Sequence, residues 1–219
     1  MRTKDQILDK LVNPGIIAVV RIGDPGKAFP LVNALLDGGV SAVEITITTP
    51  NALKIIKDLH KQVPEDVVIG AGSVTNTKDC EAVIDAGAEF VVSPICNTGL
   101  VSLCQRAQIP IMIGAFSPTE AYQAYAAGAD FIKIFPAEVL GADFFKAVLA
   151  PMPFLKLVPT GGITLENANM FFEVGCIALG VGSSMMPKDL IKCNNWSAIS
   201  EIARRFVKTA LNFKLLHSS

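Results

Sequence analysis

Short apolar runs rich in β-branched residues alternate along this chain with longer stretches whose apolar positions recur at helical spacing. The runs read as strands at Ile16–Arg21, Ala42–Ile47, Val67–Ala71, Phe90–Ser93, Ile109–Ile113, Phe131–Phe135, Leu155–Pro159 and Ile177–Gly180. Helical periodicity fills the intervals, roughly 26–37, 51–61, 77–86, 98–107, 118–127, 140–149, 165–174 and 195–213. An amphipathic helix over residues 3–12 precedes the first strand. Three helices close on a similar phrase: Asp37-Gly38-Gly39-Val40, Asp85-Ala86-Gly87-Ala88 and Ala127-Gly128-Ala129. Each supplies a glycine where a helix must end in the left-handed conformation before the next strand begins.

A repeating strand–helix unit predicts a parallel sheet with helices packed on it. Eight such units without a linker or a change of composition predict an α/β fold of the (β/α)8 TIM-barrel type. The expectation is a single domain over residues 1–219 with an extra N-terminal helix. An open, doubly wound sheet is the structural alternative. It more often carries a GxGxxG turn after its first strand, and the turn here reads Arg21-Ile22-Gly23-Asp24-Pro25-Gly26.

Composition narrows the function classes. Of 219 residues, 51% are hydrophobic and 18% charged, enough apolar material for a large core and too much for disorder. The net charge is −1, with 19 basic and 20 acidic side chains spread along the chain, so no basic face for nucleic acid is expected. The five cysteines (Cys80, Cys96, Cys104, Cys176 and Cys193) are odd in number and never in CxxC spacing, which favours reduced thiols in a cytoplasmic protein. The first residues, MRTKDQILDKLVNPG, lack the continuous apolar stretch of a signal peptide, and no uncharged apolar run reaches the ~18 residues of a membrane span. His60 falls on a surface helix and His217 on the C-terminal tail, so neither a histidine base nor a metal cluster is expected.

The candidate chemistry follows from strand alternation, because successive barrel residues point inward and toward the helices in turn. In Ala42-Val43-Glu44-Ile45-Thr46-Ile47 the apolar Val43, Ile45 and Ile47 suit the helix layer, so Ala42, Glu44 and Thr46 point inward. In Phe131-Ile132-Lys133-Ile134-Phe135 the two isoleucines take the helix side and Lys133 points inward between two phenylalanines. Desolvation disfavours a charged amine, and a neutral amine is what attack on a ketone requires. Glu44 offers a carboxylate to move protons in the same interior. The alternative is a buried Lys–Glu ion pair with a purely structural role, but such pairs are weak stabilisers. Both residues also lie toward the C-terminal ends of their strands, where barrel active sites form.

Two glycine-rich turns form a second constellation. Strand seven runs into Pro159-Thr160-Gly161-Gly162-Ile163-Thr164, and strand eight into Gly180-Val181-Gly182-Ser183-Ser184. Glycines let a backbone approach a phosphate closely, and barrels often place a phosphate site after strands seven and eight. Ordinary turn chemistry is the alternative. Ser73 ends strand three and Arg21 ends strand one, both within reach of an anionic substrate; a helix cap and a rim position are their blander roles. Ser117-Pro118-Thr119-Glu120 reads as a helix start, with Pro at N1 and Glu at N3.

Together these residues resemble the 2-keto-3-deoxy-6-phosphogluconate (KDPG) and 4-hydroxy-2-oxoglutarate (KHG) aldolases, class I lyases with a barrel fold. The resemblance covers nearly the whole chain. It is carried by Gly38-Gly39-Val40, Val43-Glu44-Ile45-Thr46, Ile69-Gly70-Ala71-Gly72-Ser73-Val74, Ser93-Pro94, Phe131-Ile132-Lys133-Ile134-Phe135-Pro136-Ala137-Glu138 and Pro159-Thr160-Gly161-Gly162-Ile163. It implies that Lys133 forms a Schiff base with a 2-keto acid and that Glu44 shuttles protons. It further implies that Ser73 and Thr160 contact the pyruvate moiety, and that Gly161, Gly162, Gly182 and Ser183 hold the phosphate. The substrate is then a phosphorylated 2-keto acid, with no metal or organic cofactor, no nucleic-acid or membrane partner, and a homotrimeric assembly.

One departure from the family pattern bears on the substrate. Where the family often reads Thr-Leu-Arg-Thr after the glutamate, this chain reads Thr46-Ile47-Thr48-Thr49. A threonine at position 48 cannot give the charge-assisted bidentate contact of an arginine, and Arg21 on a neighbouring strand end is expected to compensate. Ile113-Gly114, where the family often has Pro-Gly, is expected to have only a local effect. Two rival readings stay open on the sequence: a phosphosugar isomerase or epimerase with the same phosphate site, and a barrel protein without strong catalysis.

Overall fold

The computed structural model describes residues 2–217, the side chain of His217 excepted. In chain order the elements are α1 (Lys4–Val12), β1 (Ile16–Val20), a 3-10 turn (Pro25–Lys27), α2 (Ala28–Asp37), β2 (Ala42–Thr46), α3 (Ala52–His60), β3 (Val68–Gly72) and α4 (Thr77–Asp85). Then follow β4 (Val91–Val92), α5 (Gly99–Arg106), β5 (Ile111–Ala115), α6 (Pro118–Ala126), β6 (Phe131–Ile134), α7 (Ala137–Leu149), β7 (Leu157–Pro159) and α8 (Ala168–Glu173). The chain ends with β8 (Leu179–Val181), α9 (Lys188–Lys192) and α10 (Trp196–His217).

Strands β1 to β7 pair in parallel with their sequence neighbours, and β8 pairs in parallel with β1. A bridge between Thr160 and Gly180, with the Ile177 amide donating to the Leu157 carbonyl at 3.2 Å, joins β7 to β8 and completes the (β/α)8 barrel. The helix ends follow the glycine rule: Gly39, Gly87 and Gly128 hold φ of 88°, 93° and 92°. At helix starts, Ser117 and Glu120 form a reciprocal capping box with Pro118 at the first turn of α6, and Thr3 and Gln6 do the same for α1.

Strand alternation sorts the core into two bodies. Val43, Ile45, Ile132 and Ile134 belong to the layer between sheet and helices, as expected. Ala42, Val68, Met112, Phe131 and Val158 fill the barrel's N-terminal end, and Ile7 and Leu11 of α1 close it from below. An apolar plug at that end leaves the opposite mouth as the place for polar chemistry. Among the described residues no helix is long and apolar enough to cross a membrane, and all five cysteines are free thiols.

Several element boundaries differ from the sequence pattern, each for a local reason. Strand β5 runs Ile111–Ala115 instead of Ile109–Ile113, because the Ile109 amide closes α5 by donating to the Cys104 carbonyl at 3.1 Å. Helix α8 starts at Ala168 instead of 165: the Asn167 side chain binds the Thr164 amide and the Gly162 carbonyl, both at 2.8 Å, holding residues 163–167 as a loop. Helix α7 begins at Ala137, earlier than residue 140, and is broken at Gly141 (φ 70°, ψ 167°). Strand β8 runs Leu179–Val181 instead of Ile177–Gly180, and α10 continues past residue 213 to His217. The short α9 has no counterpart in the expected elements, since five residues are too few to show a period.

Candidate active site

The polar layer sits directly above the apolar plug. Glu44 on β2 and Lys133 on β6 are 2% and 5% exposed, and Lys133 Nζ stands 3.9 Å from Glu44 Oε1. These strands are four apart in an eight-stranded barrel, so the two side chains meet across its axis. Glycines neighbour both in register: Gly70 lies beside Glu44 on β3, and Gly114 beside Lys133 on β5. Two residues further along β3, a Cβ on Gly72 would fall 1.7 Å from Glu44 Oε1, so the carboxylate occupies space that only glycine leaves open.

Glu44 Oε1 is the one buried side-chain N or O atom without a hydrogen-bond partner among the described residues. Burial pushes the carboxyl above its ordinary value, and the positive charges of Lys133 and Arg21 oppose part of that rise. A carboxyl with a raised proton affinity and an unused acceptor, facing an amine, is equipped to pass protons to and from a third group placed between them.

A cavity of about 510 Å³ opens at the C-terminal end of the barrel, with neither Lys133 nor Glu44 on its wall. Its wall brings together Arg21, Thr160, Gly161, Gly162, Gly182 and Ser183 of the expected site residues. Phe135, also on the wall, lies with its ring centroid 5.4 Å from Lys133 Nζ, which connects the cavity to the amine below. The glycine pair adopts φ of 92° and 68°, and Ser184 Oγ donates to the Ile163 carbonyl, tying the β7 and β8 loops into one cradle. Thr160 is buried, 7% exposed, at the junction between cavity and barrel interior.

Ser73 and Thr48 stand apart from the cavity wall. Ser73 Oγ accepts a hydrogen bond of 3.4 Å from Arg21 Nη2, and its φ of 62° puts a non-glycine residue in the left-handed region at the end of β3. Such strained residues gather at functional sites, because the surrounding structure must hold them there. Thr48 is exposed, its hydroxyl 3.0 Å from that of Thr46. His60 lies at the end of α3, its Nδ1 3.6 Å from Glu89 Oε2 and remote from the cavity, while the His217 side chain lies outside the described residues. Among the described residues no group of three or more His, Cys, Asp or Glu is placed to hold a metal ion.

Three further wall residues had no role assigned from the sequence. Glu138, in the first turn of α7, packs so closely on the cradle that a Cβ on Gly162 would meet its Oε2 at 2.3 Å. Lys188 and Ile191 reach the cavity from α9. Pro187 before Lys188 is the available signal, since proline often marks a helix start.

A parallel barrel with a buried lysine–carboxylate pair and a glycine-lined cavity at its C-terminal end fits a class: enzymes that act on carbonyl compounds through a lysine amine. The comparisons name the family. The KDPG and KHG aldolase family model matches residues 7–202, and the chain belongs to that family of carbon–carbon lyases. It is 34% identical to the 2-dehydro-3-deoxy-phosphogluconate aldolase of Haemophilus influenzae, over 94% of this chain and 97% of that one. It is 35% identical to a probable 2-dehydro-3-deoxy-6-phosphogalactonate aldolase of Rhizobium meliloti, over 78% and 81% respectively. Among solved structures, KDPG aldolase from Legionella pneumophila, with pyruvate captured as a covalent carbinolamine intermediate, superposes with a TM-score of 0.80 at 33% identity, covering 89% of this chain and 96% of that one.

Proposed function

We propose that this chain cleaves 2-keto-3-deoxy-6-phosphogluconate to pyruvate and glyceraldehyde 3-phosphate through a Schiff base on Lys133, and 4-hydroxy-2-oxoglutarate to pyruvate and glyoxylate by the same route. The observation that carries the reading is the buried Lys133–Glu44 pair, with Phe135 linking its amine to a cavity lined by the glycine cradle.

The Lys133 amine attacks the C2 carbonyl to give a carbinolamine, and Glu44 delivers the proton with which the hydroxyl leaves as water. The resulting iminium draws electrons from the C3–C4 bond. Glu44, now a carboxylate, takes the proton of the C4 hydroxyl as that bond breaks and the aldehyde departs. Glu44 gives that proton to C3 of the enamine left on Lys133, and water then adds to the iminium, releasing pyruvate and the free amine as a proton returns to Glu44. Burial supports the proton steps, since it holds Glu44's proton affinity above that of a solvated carboxyl.

Arg21, held against Ser73, supplies the charge for the substrate carboxylate in place of an arginine at position 48, with Thr160 beside the same group. Gly161, Gly162, Gly182 and Ser183 receive the phosphate through backbone amides. Thr48 serves the carboxylate end indirectly, through its contact with Thr46. The whole chain acts as one domain, in a cytoplasmic homotrimer.

Steady-state release of pyruvate from both substrates tests this reading. The wild type should turn both over, and Glu44→Gln should lose about 10²–10⁴-fold in kcat, the usual scale of a general acid–base. Turnover of neither substrate by folded wild-type protein contradicts the proposal.

A further inference from the structure

The cavity carries a positive side chain at each of two places. Arg21 is tied to Ser73 on the β3 side, near Glu44. Lys188, the other cation on the wall, extends from the first residue of α9 beside the loop after β8. Lys188 forms no ion pair with any described residue, so its ammonium is available to a ligand.

Its position is fixed from both sides. The Met185 and Met186 amides donate to the Gly182 carbonyl at 3.0 and 3.1 Å, folding the β8 loop back toward α9. At the other end, Lys27 Nζ donates to the Ile191 and Lys192 carbonyls at 2.8 and 3.0 Å, anchoring the last turn of α9 to the start of α2. These bonds hold α9 beside the cradle. Among the described residues the sole carboxylate on the same wall is Glu138, packed on Gly162. A phosphate dianion entering the cradle meets that negative charge and needs a positive one to offset it.

We infer that Lys188 is a specificity-determining residue, contributing the charge that recognises the substrate's terminal phosphate and so favouring phosphorylated over unphosphorylated 2-keto acids. The inference rests on the reading of the site proposed above. Backbone amides receive phosphate by direction and partial charge; an ammonium adds a full charge that only an anionic tail can exploit. 4-Hydroxy-2-oxoglutarate, whose second anionic group is a carboxylate nearer the reacting carbons, gains little from a cation at the cradle.

The test compares wild type, Lys188→Met and Lys188→Arg on both substrates, with inorganic phosphate as a competing probe. Lys188→Met should raise KM for 2-keto-3-deoxy-6-phosphogluconate about tenfold, the scale of one hydrogen bond to a charged group, with kcat little changed. KM for 4-hydroxy-2-oxoglutarate should stay within about twofold, and Lys188→Arg should recover most of the loss. Phosphate inhibition should weaken in Lys188→Met in step with KM. An unchanged KM for the phosphorylated substrate overturns the inference. So does an equal rise for both substrates, which would make Lys188 only a support for α9. A wild type that releases pyruvate from neither substrate overturns the underlying reading of the site, and the inference with it.

Discussion

Lys133 Nζ and Glu44 Oε1 face each other 3.9 Å apart across the barrel axis, both buried. A pair at that separation is in electrostatic contact but not hydrogen-bonded. The carboxylate oxygen on the amine side has no other partner among the described residues, so the pair is open at the point where a reacting carbonyl and its water would enter.

Glu44 makes stability depend on pH in a definite direction. Burial holds its folded-state value above the ordinary 4.5, so between the two values the folded chain binds a proton that the unfolded chain has lost. Stability contributed by this group is therefore complete below the unfolded value and is lost as pH rises through the folded one. Glu44→Gln removes that loss. The difference in Tm between variant and wild type should widen in the variant's favour as pH rises above 4.5. Thermal melts across pH check this, and a difference that stays flat or shrinks contradicts it.

Gly72 should tolerate no side chain. Alanine there would put its Cβ 1.7 Å from Glu44 Oε1, and the far end of Glu44 has a buried layer around it instead of solvent. Gly72→Ala should cost about 1–3 kcal/mol of stability, as overpacking usually does. It should also lower kcat by turning the carboxyl away from Lys133. Unchanged melting and turnover would show that Glu44 has another place to go.

Arg21 should matter most for the keto-acid end of the substrate. Removing it should weaken pyruvate binding about tenfold, the scale of a hydrogen bond to a charged group. Introducing Thr48→Arg into the Arg21→Ala background should restore part of that affinity, since position 48 is exposed at the end of β2 beside Thr46. The pyruvate concentration giving half-maximal borohydride inactivation measures both effects. No gain from Thr48→Arg removes the compensation argument.

The barrel was legible because its signals are periodic. Val43, Ile45, Ile132 and Ile134 mark the outward face by a two-residue period, and that period leaves Glu44 and Lys133 inside. The glycine-ended helices were equally plain, because a left-handed residue after a helix has few alternatives to glycine. What escaped was set by single hydrogen bonds and short segments. Nothing in the pattern shows that the Ile109 amide finishes a helix, or that the Asn167 side chain holds open the loop after Thr160. Lys188 was hidden for the same reason: α9 has five residues, and its place at the cavity depends on Lys27, which lies 161 positions earlier in the chain. The separation of Ser73 and Thr48 from the cavity wall is likewise not encoded by strand alternation.

The central claim is the imine on Lys133, and intact-mass spectrometry after incubation with pyruvate and sodium borohydride tests it most directly. The wild type should gain one reduced pyruvate adduct, and Lys133→Ala, shown to be folded, should gain none. An absence of adduct in folded wild type, or an adduct that survives in Lys133→Ala, would contradict the account.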